Sequence, residues 1–358
     1  MRRIGMLTSG GDCQALNATM RAVAKVLYNK IDNVEILGFM DGYRGLIQGD
    51  YKVMRPLDFT GILTMGGTIL GSSRQPFKKM RLIEADGIDK VAAMKKTYRD
   101  LGLECLVILG GNGSQKTANL LKEEGLNVVS LPKTIDNDIF GTDMTFGFQS
   151  AVDIATDAID CIHTTASSHG RVFIVEVMGH KVGWLTLHAG IAGGADIILI
   201  PEIPYDLESV LGALERRHKA GKRFSILAVA EGAISKEDAL LSKKEYNKKK
   251  AESAYPSVSY ELAAKIEEAF GKEVRITVPG HTQRGGSPDP YDRFISTKLG
   301  AEAGRMIVER NYGQMVAFDG FEVIRVPLEK VAGKLKYVDP DCATIREAKD
   351  MGISFGDE

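Results

Sequence analysis

Apolar positions in this chain fall into short runs, separated by longer stretches in which they recur every three or four residues. The runs Ile4–Leu7, Val34–Phe39, Cys105–Leu109, Val128–Leu131, Val172–Val177, Ile197–Ile200, Ile226–Val229 and Val274–Val278 are rich in β-branched and aliphatic residues. They predict strands. The helical period appears over Leu16–Tyr28, Ser114 to about Glu124, about Gln149 to Thr165 and Tyr291 to about Glu309. Strands alternating with helices predict an α/β fold of mainly parallel sheets with helices on both faces. A length of 358 residues calls for two such doubly wound, three-layer units. Ligands of open sheets bind beyond the carboxyl ends of the strands, so the loops after strands are the places to search. One stretch departs from the pattern. Ser235–Ser257 is lysine-rich and poor in apolar residues, and reads as a solvated helical excursion.

Composition narrows the function. The formal net charge is -1 and the pI about 6.6, so no global field favours nucleic acid or an anionic membrane surface. The four cysteines (Cys13, Cys105, Cys161 and Cys342) have no zinc-type spacing and fit a reducing, cytoplasmic setting. No run is long enough to span a membrane, and the N-terminus lacks a signal-peptide core.

Three glycine-rich segments follow strands: Thr8-Ser9-Gly10-Gly11-Asp12, Gly110-Gly111-Asn112-Gly113-Ser114 and Pro279-Gly280-His281-Thr282-Gln283-Arg284-Gly285-Gly286. Glycine lets backbone N–H groups approach phosphate oxygens, and a following helix N-terminus adds positive potential. One such loop alone is an ordinary turn; three in one α/β chain point to phosphate. None matches the dinucleotide fingerprint or the common P-loop. Pro132-Lys133-Thr134-Ile135-Asp136-Asn137-Asp138 then places two carboxylates two residues apart at a strand end. In phosphoryl transfer one carboxylate takes the attacking hydroxyl's proton, and the other helps hold magnesium. Arg74, Arg171, Arg275 and Arg284, with His281, are candidates for gripping phosphate, and Glu231 for sugar hydroxyls.

Together these residues resemble the bacterial-type phosphofructokinase family, from Ile4 to about Gly320. The likeness rests on Leu-Thr-Ser-Gly-Gly-Asp at 7–12, Gly-Gly-Asn-Gly-Ser at 110–114, Lys-Thr-Ile-Asp-Asn-Asp at 133–138, Val-Glu-Val-Met-Gly at 175–179 and Gly-His-Thr-Gln-Arg-Gly-Gly-Ser-Pro at 280–288. It implies phosphoryl transfer to the 1-hydroxyl of fructose 6-phosphate. It also implies a phosphofructokinase-like fold: a donor domain over 1–147 plus about 281–325, and a sugar-phosphate domain over 148–280 plus the C-terminal segment.

By the same resemblance Asp136 is the general base, Thr134 a neighbouring contact and Arg171 the stabiliser of the transferring group. Asp138 and Asn112 flank magnesium. Gly11, Tyr43, Arg74, Gly111, Asn112, Gly113, Ser114 and Lys133 lie along the donor. Thr134, Ile135, Asp136, Arg171, Met178, Gly179, His180, Glu231, Arg275, His281 and Arg284 contact the sugar phosphate. Arg171 and Arg275 would reach in from a neighbouring copy, implying a homodimer or homotetramer with shared sites.

Gly113 implies ATP as donor, because pyrophosphate users usually carry aspartate there, where it would block the α-phosphate. Lys133 points the other way, towards pyrophosphate, and the pair matches a mixed subgroup. Three departures stand out. Asn112 replaces the usual magnesium-linked aspartate, and His180 replaces an arginine. Among the effector positions Arg21, Lys25 and Lys222 keep basic character whereas His163 and Ala220 do not, which puts allosteric control by ADP or phosphoenolpyruvate in doubt. The expectation is an ATP-dependent kinase; the alternatives are another donor or sugar phosphate, and a catalytically weak regulatory subunit on account of Asn112.

Overall fold

The computed structural model describes residues 1–358. Its strands are β1 (Arg2–Ser9), β2 (Val34–Phe39), β3 (Tyr51–Met54), β4 (Cys105–Gly110), β5 (Val128–Pro132), β6 (Val172–Val177), β7 (Ile197–Leu199), β8 (Ser225–Ala230), β9 (Val274–Thr277), β10 (Gln314–Asp319) and β11 (Glu322–Pro327). The chain forms two compact units, Met1–Ser150 with Arg284–Lys336, and Ala151–Gln283 with Tyr337–Glu358.

The first unit holds a seven-stranded sheet in the order β11-β10-β5-β4-β1-β2-β3. Its five inner strands are parallel; β3 and β11 close the two edges antiparallel. All six residues of β4 are buried, because a central parallel strand is covered on both faces. Leu7, Phe39, Leu106, Ile108, Leu121 and Val128 belong to one core cluster of this unit.

A four-stranded, wholly parallel sheet in the order β7-β8-β6-β9 forms the second unit. Strands β6 and β8 are buried throughout, and Ile174, Leu199, Leu227, Val229, Leu262 and Ile266 lie in its core. The lysine-rich excursion is helical over Lys236–Ala239 and Lys243–Glu252, and neither helix buries a residue. Ser235 and Ser242 cap them by accepting the N–H groups of Asp238 and Glu245.

The alternating pattern did not predict β3, β10 or β11. Strand β3 is four residues long and exposes three of them, leaving no apolar run. The β10–β11 hairpin turns through Gly320 and Phe321, with Gly320 at a positive φ of 59°. Glycine at the first central position of a two-residue turn is the sequence signal for this hairpin.

Candidate active site

Within the first unit, the carboxyl ends of β1, β4 and β5 lie side by side, and each carries one of the predicted segments. The first loop is stitched to the segment Gly71–Arg74. Gly10 N–H donates to the Ser73 carbonyl at 3.2 Å, and the Ser72 hydroxyl donates to the Gly10 carbonyl at 2.6 Å. This holds exposed Arg74 next to the loop. Arg284 donates to the Asp12 carbonyl at 2.9 Å, and a Cβ on Gly11 would lie 2.7 Å from its guanidinium. Gly11 therefore leaves the room that Arg284 occupies.

The second loop opens the helix Asn112–Glu123, with Gly111 as its N-cap in extended conformation. The first N–H groups of that helix have no intrahelical partner, an arrangement suited to phosphate. A Cβ on Gly110 would strike Ser114 at 2.3 Å, whereas one on Gly113 would meet nothing within 4 Å. Ser114 is buried. The Asn112 amide donates to the Lys334 carbonyl at 2.6 Å.

Tyr43 is 1% exposed, and its hydroxyl donates to the Ser114 carbonyl at 2.9 Å, so its side chain supports the loop from below. Burial drives its phenol well above the usual tyrosine range. Lys133 is likewise 3% exposed, with its ammonium on the Gly11 carbonyl. Burial is the main cause that lowers this lysine to about 8. Ile135 is wholly buried, so its side chain is core and only its main chain is left to meet a ligand.

The β5 loop has a fixed shape. Thr134 accepts the Asp136 N–H at 3.0 Å through its hydroxyl, and the Thr145 hydroxyl donates to the Thr134 carbonyl at 2.8 Å. Asn137 sits at φ 53°, accepts the Thr145 N–H at 3.0 Å and donates to the Asp143 carbonyl at 3.1 Å. Asp136 is half-buried. Asp138 is also half-buried, and its Oδ1 is enclosed without a hydrogen-bond partner. Burial first, and then the neighbouring Asp136 charge, push the Asp138 carboxyl up to about 6. An enclosed, unpartnered carboxylate oxygen is suited to a cation.

Pattern reading missed Gln115, Asn137 and Lys336. Gln115 is fully buried; its amide donates to the Gly110 and Leu131 carbonyls at 2.9 and 3.1 Å and accepts the Ser130 hydroxyl at 2.6 Å. It ties the ends of β4 and β5 to the second loop. The only sequence signal was a polar residue on the inner face of the first helical turn.

In the second unit the predicted residues form two groups. At the carboxyl ends of β6 and β8, one oxygen of Glu231 accepts the N–H groups of Gly179 and His180 at 3.3 and 2.8 Å. Gln283 accepts the Met178 N–H at 3.3 Å. His180 is exposed and takes φ 52°, and a Cβ on Gly232 would lie 2.2 Å from its carbonyl oxygen, so this turn requires glycine there. His281 is exposed on the short 3-10 helix Gly280–Arg284.

The second group lies at the opposite end of the strands, by their amino ends. Arg171 precedes β6, and Arg275 lies near the start of β9. Glu273 pairs with both, at 2.6 Å to Arg171. Six strand residues lie between Arg171 and Met178, seven steps that span about 23 Å at ~3.3 Å per residue. One copy of the chain therefore does not bring Arg171 to Met178 and Glu231.

Cys13 is fully buried, and burial pushes its thiol to about 12, so it is packing material with little thiolate character. No group of three or more His, Cys, Asp or Glu side chains is placed to hold a metal, and no helix is long and apolar enough to cross a membrane.

Residues 3–307 match the family profile described as phosphofructokinase. The chain is 55% identical to an ATP-dependent 6-phosphofructokinase of Spirochaeta thermophila, covering 99% of this chain and 98% of that protein. It is 46% identical to ATP-dependent 6-phosphofructokinase 3 of Bacteroides thetaiotaomicron, covering 99% and 100%. Among solved structures, Pichia pastoris phosphofructokinase in the T-state is 33% identical with a TM-score of 0.80, over 92% of this chain and 35% of that one. A pyrophosphate-dependent phosphofructokinase from Nitrosospira multiformis, 18% identical with a TM-score of 0.82 over 99% and 92% of the two chains, shares the fold. The chain belongs to the phosphofructokinase family.

Proposed function

We propose that this member of the phosphofructokinase family transfers a phosphoryl group from ATP to the 1-hydroxyl of fructose 6-phosphate. The observation that carries the reading is the β5 loop. Thr134 orients the half-buried Asp136 two residues before Asp138, whose enclosed Oδ1 has no protein partner. The full-length relatives bearing the name ATP-dependent 6-phosphofructokinase support the donor and the sugar. So does the open space at Gly113, which leaves room for an α-phosphate.

Each residue has a defined task on this reading. Asp136 takes the proton of the sugar's 1-hydroxyl as the oxygen attacks. The helix N-terminus at Gly111–Ser114 and exposed Arg74 bind the donor phosphates. Glu231, fixed by the Gly179 and His180 N–H groups, accepts sugar hydroxyls, while His281, Arg284 and the Met178–His180 turn hold the phosphorylated sugar. The first unit serves the donor and the second the sugar phosphate. A second copy of the chain supplies Arg171, which steadies the transferring phosphoryl group, and Arg275, which grips the sugar phosphate.

Magnesium fits the residues present. Asp138 and the amide oxygen of Asn112 would hold it, with donor phosphates and water completing the shell, since magnesium commonly takes only one or two protein carboxylates. When bound it neutralises charge on the donor phosphates. Lys133, tied to the Gly11 carbonyl, acts as a loop support and does not by itself call for pyrophosphate.

A coupled assay with fructose 6-phosphate, magnesium and either ATP or pyrophosphate tests the reading. The expected outcome is turnover with ATP that falls by about 10³-fold or more in Asp136→Ala, with the fold intact by circular dichroism. Absence of turnover with both donors, across several sugar phosphates, would overturn it.

A further inference from the structure

Three residues at the end of the first unit touch both loops that the proposed reaction needs. The Lys334 carbonyl accepts the Asn112 side-chain amide at 2.6 Å, a contact spanning 222 positions of sequence. Leu335 forms an antiparallel bridge with Ile139. The Lys336 backbone N–H donates to the Asp138 carbonyl at 2.9 Å. The Lys336 ammonium donates to the Thr142 and Asp143 carbonyls at 2.9 and 2.8 Å. Lys334 places its own ammonium 5.0 Å from the centre of the Phe140 ring. The segment thus runs along the back of the loop carrying Asp136 and Asp138, and Asn112 joins it from the glycine loop.

We infer that Asn112 is a positioning residue, whose amide clasps the glycine loop to the strap Lys334–Leu335–Lys336 and thereby fixes that loop relative to Asp138. This rests on the kinase reading for its consequence in turnover, but the clasp itself is a property of the unliganded chain. It accounts for the departure at position 112. A carboxylate has no N–H to give. At 2.6 Å from the Lys334 carbonyl it would set oxygen against oxygen, losing the bond and adding repulsion. Asparagine satisfies the strap through nitrogen and leaves its oxygen free to face a cation. Position 112 is therefore matched to the strap, and the loss of a negative charge there is no sign of a silent subunit.

Lys336 is the second half of the clasp. Burial lowers its pKa to about 8, against the raising influence of Asp143 first and Asp138 second. Keeping a lysine in so enclosed a place requires acceptors, and the two loop carbonyls provide them. Its removal would cut the side-chain bonds from the strap to Thr142 and Asp143, leaving only the main-chain contacts at Ile139 and Asp138, without touching any residue placed in the reaction.

The test uses the full chain without nucleotide, followed by kinetics. Exchange of the backbone amide at position 336, which donates to the Asp138 carbonyl, is expected to quicken by on the order of tenfold in Asn112→Asp and in Lys336→Met, and to return to the parent rate in Lys336→Arg. In the coupled assay, kcat with ATP should fall on the order of tenfold in the first two variants, while KM for fructose 6-phosphate stays within about twofold. Unchanged exchange in Asn112→Asp would overturn the clasp whatever the kinetics show. Higher turnover in Asn112→Asp, above all at low magnesium, would also overturn it, because that result makes position 112 a metal ligand only. If the parent shows no kinase activity, the proposed function fails while the exchange experiment still decides the clasp.

Discussion

Gly113 is the one glycine of its loop at which a side chain would meet nothing, whereas a Cβ on Gly110 would strike Ser114 and one on Gly111 would touch the Lys133 carbonyl at 3.4 Å. That open space lies at the first turn of a helix whose N–H groups have no intrahelical partner, and on the proposed reading it receives the donor. Gly113→Asp is therefore expected to fold normally while placing a carboxylate where an α-phosphate would sit. By steric conflict and like-charge repulsion, kcat/KM for ATP should fall by about a hundredfold, which corresponds to ~2.7 kcal/mol. Pyrophosphate has no counterpart to that group, so its competition with ATP in the parent and its binding to the variant should differ much less. Equal losses for the two ligands, measured by titration against both proteins, would remove the steric argument.

Elements were legible where burial imposed a period. The eight apolar runs became β1, β2 and β4–β9, because strands covered largely on both faces are mainly apolar. The edge strands β3 and β11 of the first sheet escaped notice because they are partly open to water and the apolar run disappears, as in β3. The loops were legible through glycine and paired aspartates, but their supports were not. Gln115 bonds a carbonyl 16 positions away, and Lys336 one 194 positions away, and such distances leave no local pattern. Asp292 is another hidden support. It is fully buried near the start of the helix Pro290–Val308 and accepts the Gly147 N–H, the Ser150 N–H and the Ser150 hydroxyl at 2.9, 2.9 and 2.6 Å. It thus fixes the start of the helix Phe148–His169, which follows the β5 loop. Asp292→Asn can accept through only one atom and must turn its amide towards a donor. The expected cost is about 2–3 kcal/mol. Chemical denaturation should show it as a lower midpoint, and an unchanged midpoint would mean that Asp292 is dispensable.

On the scale of the whole molecule, the second sheet sets a limit on what one chain does. Strand β6 begins beside Arg171 and ends beside Met178, so the two groups of predicted sugar-site residues lie at opposite ends of the strands of one sheet. Glu273 holds Arg171 and Arg275 together at their end, where they can act jointly on a phosphate presented by another molecule. The proposed assembly makes each site from the Asp136 and Glu231 side of one copy and the Arg171 and Arg275 side of the other. Asp136→Ala and Arg171→Ala should each be nearly inactive alone. Dissociated and reassociated together at equal amounts, they should form mixed dimers half of the time, each with one site carrying both defects and one carrying neither. Recovered activity should then reach about a quarter of the parent's, because half the dimers contribute one of their two sites. A tetramer built of such pairs gives the same fraction. Recovery no greater than the sum of the separate variants would place Arg171 in the same copy's site or outside it altogether.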